Sequence, residues 1–317
     1  MTNRRQFLAA TAAAGACLAT RPSSAQEATA HQPASATAAA PLRYCLNVST
    51  INNSQVEIEE QIRAASKAGY DGIEIWLRDV ERFRSRGGKL PELRLRLEDA
   101  NLRVESAIAF GQWVVDDQTR RAKGLDDCRR DMEIVRELGG RRIAAPPTGA
   151  TEGSKLDLSA AADRYAALLE IGLTRDCDPQ LEVWGFSKNF STLAEVLYVL
   201  AAVRHPRACV LPDIYHLYKG GSNFADLALL GGSAVHVLHM NDYPANPPRD
   251  KIGDADRVYP GDGVAPVADI LRTMMANGFD GVLSLELFNR SYWQQPADQV
   301  AATGLAKMKA AVAAALA

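Results

Sequence analysis

Short apolar runs alternate with amphipathic segments eight times between residue 44 and the C-terminus. The apolar runs, of five to seven residues, are typical of buried strands, and the longer segments repeat their apolar residues at helical spacing. The predicted strands are 44–48, 72–76, 104–110, 142–146, 181–186, 209–214, 235–240 and 281–287. The predicted helical segments are 55–68, 90–101, 126–138, 158–173, 192–203, 226–230, 264–277 and 296–315.

Such strict alternation favours an α/β fold in which parallel strands close into a (β/α)8 TIM barrel, with residues 42–317 as a single domain. The alternative is a doubly wound open sheet. That architecture commonly carries a glycine-rich nucleotide turn between a strand and a helix. Gly139 and Gly140 instead precede a predicted strand, so the sequence favours the closed barrel.

The first 41 residues do not continue this pattern. Arg4 and Arg5 are followed by Phe7, an alanine-rich run and small residues at 23–25, an arrangement that resembles a twin-arginine export signal. Residues 26–41, rich in Ala, Thr, Ser and Pro, are typical of a flexible leader. We therefore expect an exported, periplasmic protein.

The net charge and the lengths of the apolar segments argue against two classes of partner. The formal net charge of −2 gives no general attraction to nucleic acid, and no apolar segment is long enough to span a bilayer.

Cysteine usage is sparse beyond the signal: Cys45 and Cys209 lie in apolar strand contexts, whereas Cys128 and Cys177 could pair in an oxidising compartment. No Cys-x-x-Cys motif is present, which disfavours a zinc–thiolate site.

Polar residues mark the ends of four consecutive predicted strands. These are Glu182, Asp213, His239 and Glu286, with His216 shortly after Asp213. Each has an ordinary explanation alone; Asp213, for example, could simply cap the next turn. Together, inside apolar runs, they predict a shared site, because a buried carboxylate is costly unless a cation pairs with it. Three carboxylates and one imidazole suit Mn²⁺ or Mg²⁺, with Co²⁺ or Zn²⁺ able to compete.

Other candidate residues are assigned differently. His236 lies three residues before His239 and is expected to face away from the site. Glu74 and Glu105 either orient the site or form ion pairs in the barrel, and they are left outside the predicted ligand set. Tryptophans near strand ends either stack on a sugar or pack beneath loops. They are Trp76, Trp113 and Trp184.

Several short motifs resemble those of the xylose-isomerase-like TIM barrels, the superfamily of sugar (phosphate) isomerases and epimerases and of endonuclease IV. They are Glu182-Val-Trp-Gly, Asp213-Ile-Tyr-His216, His239-Met-Asn-Asp242, Pro260-Gly-Asp-Gly and Ser284-Leu-Glu286. The resemblance implies one divalent metal on Glu182, Asp213, His239 and Glu286, with the two glutamates as the acid/base pair. It further implies substrate contacts from His216 and Arg257. Trp184 joins these residues as a stacking candidate.

The activity that this resemblance implies is isomerisation or epimerisation of a ketose or keto-sugar through an enediolate. One glutamate removes a carbon-bound proton and the other returns it, so the two reactions differ only in where the proton returns. β-Elimination from the same intermediate leaves a dehydratase or lyase open. A small-molecule sugar is the expected partner, and an oligomer is compatible with the sequence.

Two different classes compete with this interpretation. A DNA-repair endonuclease of the superfamily would hold three zinc ions with additional histidines, but this chain has five histidines in all and a slightly acidic charge. A non-catalytic carbohydrate-binding barrel, as a subunit of a larger complex, would not need two opposed glutamates. Fold-level analogy alone does not exclude it.

Overall fold

The computed structural model describes residues 42–51 and 55–317, and its strands form one all-parallel barrel. The predicted export signal and the leader lie outside the described residues, as does Ser54, which directly precedes the predicted helix 55–68. The strands are β1 (Arg43–Asn47), β2 (Gly72–Trp76), β3 (Arg103–Ile108), β4 (Arg142–Ala145), β5 (Asp178–Glu182), β6 (Val210–Leu211), β7 (Val237–Met240) and β8 (Val282–Leu285).

Helices connect these strands and cover the outside of the barrel. They are α1 (Ile58–Ala68), α2 (Leu77–Ser85), α3 (Leu90–Asp99), α4 (Gln118–Glu137), α5 (Leu158–Arg175), α6 (Leu193–Val203), α7 (Ile214–Gly220), α8 (Val267–Ala276) and α9 (Ala297–Leu316). Within the described residues no helix is both long and apolar enough to cross a membrane.

Hydrogen bonding joins the strands in the order β3-β2-β1-β8-β7 and, separately, β4-β5-β6. Two bridges, Val210 with Val235 and Asp213 with His239, connect β6 to β7, and β3 lies beside β4. The expected TIM barrel is therefore confirmed. The bridge between Asp213 and His239 also brings two predicted ligands to the same level of the barrel.

Alternation along the strands separates the apolar core from a polar interior. In β2, Ile73 and Ile75 are fully buried in the apolar core, whereas Glu74 contacts polar groups from other strands. The same period of two places His239 of β7 and Ser284 of β8 beside Glu74. The buried polar interior is thus built by the strands themselves.

Several predicted boundaries are wrong. The apolar run predicts a strand over residues 181–186, whereas β5 begins at Asp178 and ends at Glu182. Close backbone packing follows the strand, because a Cβ on Gly185 would lie 2.2 Å from the carbonyl oxygen of His216. The segment after β6, where no helix was predicted before residue 226, is the short helix α7. Helix α2 was not predicted, and the helix expected at 226–230 is a 3₁₀ helix, Phe224–Leu229.

Asp242, two residues after the end of β7, organises the loop that contains Pro260-Gly-Asp-Gly. Its carboxylate accepts backbone N–H bonds from Tyr243, Gly261, Gly263 and Ala265 at 2.7–3.1 Å. Its backbone pairs with Val258. Because Val258 follows Arg257, this loop fixes the point from which Arg257 enters the barrel.

We expect Asp242→Asn to destabilise the protein by about 2 kcal/mol or more, because an amide has one acceptor oxygen and would turn its NH₂ toward N–H donors. Asp262→Asn is the matched control in the same loop; it removes only a surface pair with Lys307 and should cost less than about 0.5 kcal/mol. Urea unfolding monitored by circular dichroism measures both. Equal unfolding free energies for the two variants would contradict this role of Asp242.

Candidate active site

The centre of the site is His239, which is fully buried and surrounded by carboxylates. Its Nε2 lies 3.0 Å from Glu74 Oε2. Its Nδ1 faces Glu286 Oε2 at 3.2 Å, Asp213 Oδ2 at 3.5 Å and Glu182 Oε1 at 3.9 Å. Three of the strand-end residues predicted from the sequence therefore converge on a nitrogen atom of the fourth, His239.

Three of these residues form a group that could hold a metal ion. Ligand atoms of Asp213, His239 and Glu286 all lie within 4.8 Å of one another, and all three residues are buried. Glu182 stands just outside this group. His239 Nδ1 is buried and has no hydrogen-bond partner among the described residues, as expected for an atom available for metal coordination.

Glu74, left out of the predicted ligand set, holds His239 in place. Its Oε2 accepts from Asn47 Nδ2 at 2.9 Å and Ser284 Oγ at 2.6 Å, in addition to contacting His239 Nε2. A carboxylate at Nε2 favours the tautomer that turns the Nδ1 lone pair toward the site. The signal in the sequence was a carboxylate on an inward position of an otherwise apolar strand.

Asn47, another residue that sequence reasoning missed, links this network to Glu286. Its Nδ2 also donates to Glu286 Oε1 at 3.0 Å, and its Oδ1 accepts from Trp76 Nε1 at 2.9 Å. Asn47 is the last residue of β1. Its strand-end position was therefore the available signal.

Asp213 uses its two oxygens for different purposes. Oδ1 accepts from the backbone N–H of His216 and caps helix α7, which is the ordinary role considered for it. Oδ2 faces the site and accepts from Asn241 Nδ2 and Arg257 Nη1, both at 3.0 Å. A helix cap and a candidate ligand thus share one carboxylate.

Arg257, 1% exposed, is the permanent cation of the site. Nη1 donates to Asp213 Oδ2 and, at 2.9 Å, to Glu286 Oε2. Nη2 donates to His216 Nε2 at 3.0 Å and also contacts Asp254. Burial, aided by the nearby positive charge of Arg257, lowers the pKa of His216 to about 4, so His216 is neutral at neutral pH.

The carboxylates respond differently to their surroundings. Burial and the charge of Glu286 raise the pKa of Glu182 to about 8, although His239 opposes this rise. Burial would also raise the pKa of Asp213, but the positive charge of Arg257 holds it well below its usual range. In the absence of an ion, the site therefore favours a proton on Glu182 and a negative charge on Asp213.

Charge is unbalanced at this end of the barrel. Glu74, Glu182, Asp213 and Glu286 are all at least 95% buried, and the permanent cation Arg257 contacts only Asp213 and Glu286 of these four. Burial opposes a charge on His239, yet Glu286 and Glu74 raise its pKa well above the ordinary value. The site therefore favours an additional positive charge, either a proton on His239 or a divalent cation.

An aromatic rim surrounds the site, above a cavity of about 200 Å³. Trp76 and Phe110 are 5.4 Å apart between ring centroids, Phe110 and Trp184 6.2 Å, and Trp184 and Phe186 5.2 Å. Phe288 closes the rim beside Trp76 at 6.0 Å. Apolar walls above a polar floor suit a compact polyhydroxylated molecule with C–H faces.

The other residues singled out in the sequence differ in whether they lie at this cavity. Trp184, His216 and Arg257 line the cavity. Trp113 is buried elsewhere, where it donates to the carbonyl of Pro146 and packs on Phe190. His236 precedes β7 and has none of the site contacts described above. The four described cysteines are buried free thiols, so the disulfide considered for Cys128 and Cys177 is not formed.

Comparison with known proteins connects this geometry to a family. Residues 62–311 match the family model described as xylose isomerase-like TIM barrel. Inosose isomerase of Halalkalibacterium halodurans is 25% identical over 267 residues, covering 83% of this chain and 93% of that protein. Fructoselysine 3-epimerase of Escherichia coli O157:H7 is 24% identical, covering 78% and 91% of the two chains.

Two further similarities are informative. A 3-dehydroshikimate dehydratase of Pseudomonas putida is 24% identical over 250 residues, which is 78% of this chain but 39% of that protein. The crystal structure of the IolI protein with a bound zinc atom superposes with a TM-score of 0.79 at 22% identity, covering 86% of this chain and 98% of that one. Together with the family match and the barrel, these findings show that the chain belongs to the xylose isomerase-like TIM barrel family.

Proposed function

We propose that the protein is a divalent-metal-dependent isomerase or epimerase of a ketose, keto-sugar or similar polyhydroxy-ketone. The observation that carries the proposal is the convergence of Glu182 and Glu286 on His239 Nδ1 at 3.9 and 3.2 Å. These glutamates come from β5 and the end of β8, three strands apart around the barrel. A compact substrate held between them would meet one carboxyl on each side.

Glu182, Asp213, His239 and Glu286 are the proposed ligands of one divalent ion. Three oxygens and one nitrogen suit Mn²⁺, Mg²⁺ or Co²⁺, and the zinc in the related IolI structure makes Zn²⁺ an equal candidate. When bound, such an ion acts as a Lewis acid toward the substrate carbonyl. Asp213 and Glu286 can accept from Arg257 and coordinate an ion together, because each carboxylate oxygen has two lone pairs.

The chain's own groups then move the proton. One of the two glutamates takes the proton from the carbon beside the carbonyl, and the other returns a proton to the opposite face or to the neighbouring carbon. Coordination of an ion requires the ionised form of Glu182, so its raised pKa applies to the metal-free site. His216, which is neutral, and the cation Arg257 are positioned to hydrogen-bond substrate oxygens. Trp184 is positioned to pack on the C–H face of the substrate.

Dehydration is the second candidate function. It is favoured by the similarity to a 3-dehydroshikimate dehydratase, since β-elimination begins with the same proton removal. The returning proton would then go to the departing hydroxyl group. Product analysis of the same assay separates the two reactions, because elimination yields an alkene and water.

We expect Glu182→Gln and Glu286→Gln each to lower turnover by ~10²-fold or more, the usual scale for loss of an acid/base group. Exchange of the carbon-bound proton with deuterated water, followed by NMR on inososes and ketohexoses, measures this. Glu152→Gln, at an exposed position in the loop after β4, is the control and should retain wild-type rates. Wild-type exchange in both site variants would favour the carbohydrate-binding barrel instead.

A second prediction concerns Glu74, which we expect to strengthen metal binding through His239. Glu74→Gln keeps the size and one acceptor oxygen but removes the charge behind the imidazole, so affinity should fall by about 10-fold or more. Glu105→Gln, the matched change at a buried strand glutamate outside the site, should leave affinity unchanged, and His239→Ala should lose most binding. Calorimetric titration of folded, metal-depleted variants with Mn²⁺ tests this. Wild-type affinity in Glu74→Gln would refute it.

Export through the twin-arginine route is also proposed, on the sequence of residues 1–25 alone. This route carries folded proteins, so a metal could be acquired before export. Replacing Arg4 and Arg5 by lysine should retain the precursor in the cytoplasm, as judged by cell fractionation. Replacing Arg21 by lysine is the control, and unchanged export of the double variant would point to another route.

A further inference from the structure

A second and larger cavity, of about 450 Å³, lies at the opposite end of the barrel from the carboxylate site. Its walls come from the first residues of β1, β3 and β4 and from the C-terminal ends of α3 and α4. Five arginines contribute to these walls: Arg43, Arg94, Arg103, Arg141 and Arg142. This end of a TIM barrel does not carry the catalytic groups, so the arginines need another explanation.

The carboxylates nearby do not balance this positive charge. Glu98 and Glu105 belong to the walls, and Asp176 pairs with Arg141 from just outside them. The walls themselves therefore carry five guanidinium groups and two carboxylates, an excess of three positive charges, and Asp176 is shared with Arg136 and Arg207. The chain as a whole has a formal net charge of −2, so the excess is local to this cavity.

Two of the arginines keep donors free within the described part of the chain. Glu105 lies between Arg43 Nε, at 3.0 Å, and Arg142 Nη1, at 3.7 Å. Arg142 Nε is buried and has no partner among the described residues. Arg103, at the start of β3, is exposed and forms no side-chain hydrogen bond or ion pair with the described residues.

Arginines near helix C-termini also offset the helix dipole, and that accounts for part of the cluster. Arg94 donates to the carbonyl of Glu137, the last residue of α4. Arg43, Arg103 and Arg142 instead project from strands and satisfy no helix carbonyl. Helix capping therefore does not explain the excess charge.

We propose that this cavity binds a compact dianion, a phosphate group or a small dicarboxylate, through Arg103, Arg141 and Arg142. Guanidinium groups are planar, permanently charged and able to donate two parallel hydrogen bonds to either kind of anion. The cavity is open to solvent and more than twice the size of the catalytic one. This binding site is independent of the proposed reaction, since the two sites lie at opposite ends of the barrel.

Calorimetric titration of the metal-loaded full-length chain at low ionic strength tests the proposal, with inorganic phosphate and succinate as separate probes. At least one probe should bind saturably with one site per chain. The double variant Arg103→Gln/Arg141→Gln should weaken that binding at least about 10-fold. Both side chains are solvent-exposed, so the variant should fold, and thermal unfolding verifies this.

The matched control is Arg84→Gln/Arg129→Gln, which removes the same charge from exposed helix faces and should leave binding unchanged. His239→Ala should also retain it. Binding of phosphate alone assigns a phosphate-bearing ligand, and binding of succinate alone assigns a dicarboxylate. The proposal is overturned if neither probe binds, if the control double variant weakens binding equally, or if His239→Ala abolishes it.

Discussion

Buried negative charge at one end of the barrel determines most of what surrounds it. Four carboxylates from β2, β5, the β6–α7 junction and the end of β8 meet around His239, where water cannot screen their repulsion. Such a cluster persists in a folded protein only with compensating cations and donated hydrogen bonds. Part of this compensation is the positive charge of Arg257. Another part is the hydrogen bonds donated by Asn47, Asn241 and Ser284. The remaining negative charge is what makes the site suitable for a divalent ion.

The compensation depends on parts of the fold that do not touch the cluster. Arg257 reaches the carboxylates from a long segment after β7, and that segment is fixed by four backbone hydrogen bonds to Asp242. Asp213 is held by capping helix α7 while its second oxygen faces the site. Local structure and site geometry are therefore coupled, because the same side chains serve both.

The barrel separates two chemically different ends. The C-terminal ends of the strands carry carboxylates beneath an aromatic rim, in which Phe110 and Phe186 remain 43% and 47% exposed. The N-terminal ends carry an arginine cluster around a larger cavity. Parallel strands make this separation possible, since every strand presents its first residues at one end and its last residues at the other.

The sequence by itself determined the barrel, the order of its elements and the three strand-end carboxylates that converge on His239. Periodicity reports which residues are buried, and parallel strands bring their last residues to one end, so this much follows from local pattern alone. Tertiary structure decided the rest. Glu74 and Asn47 belong to the site because they contact residues 165–239 positions away in the sequence. Trp113 does not belong to it, because its ring is buried elsewhere and donates to the carbonyl of Pro146. Those outcomes depend on side-chain packing between distant segments, which no local pattern encodes.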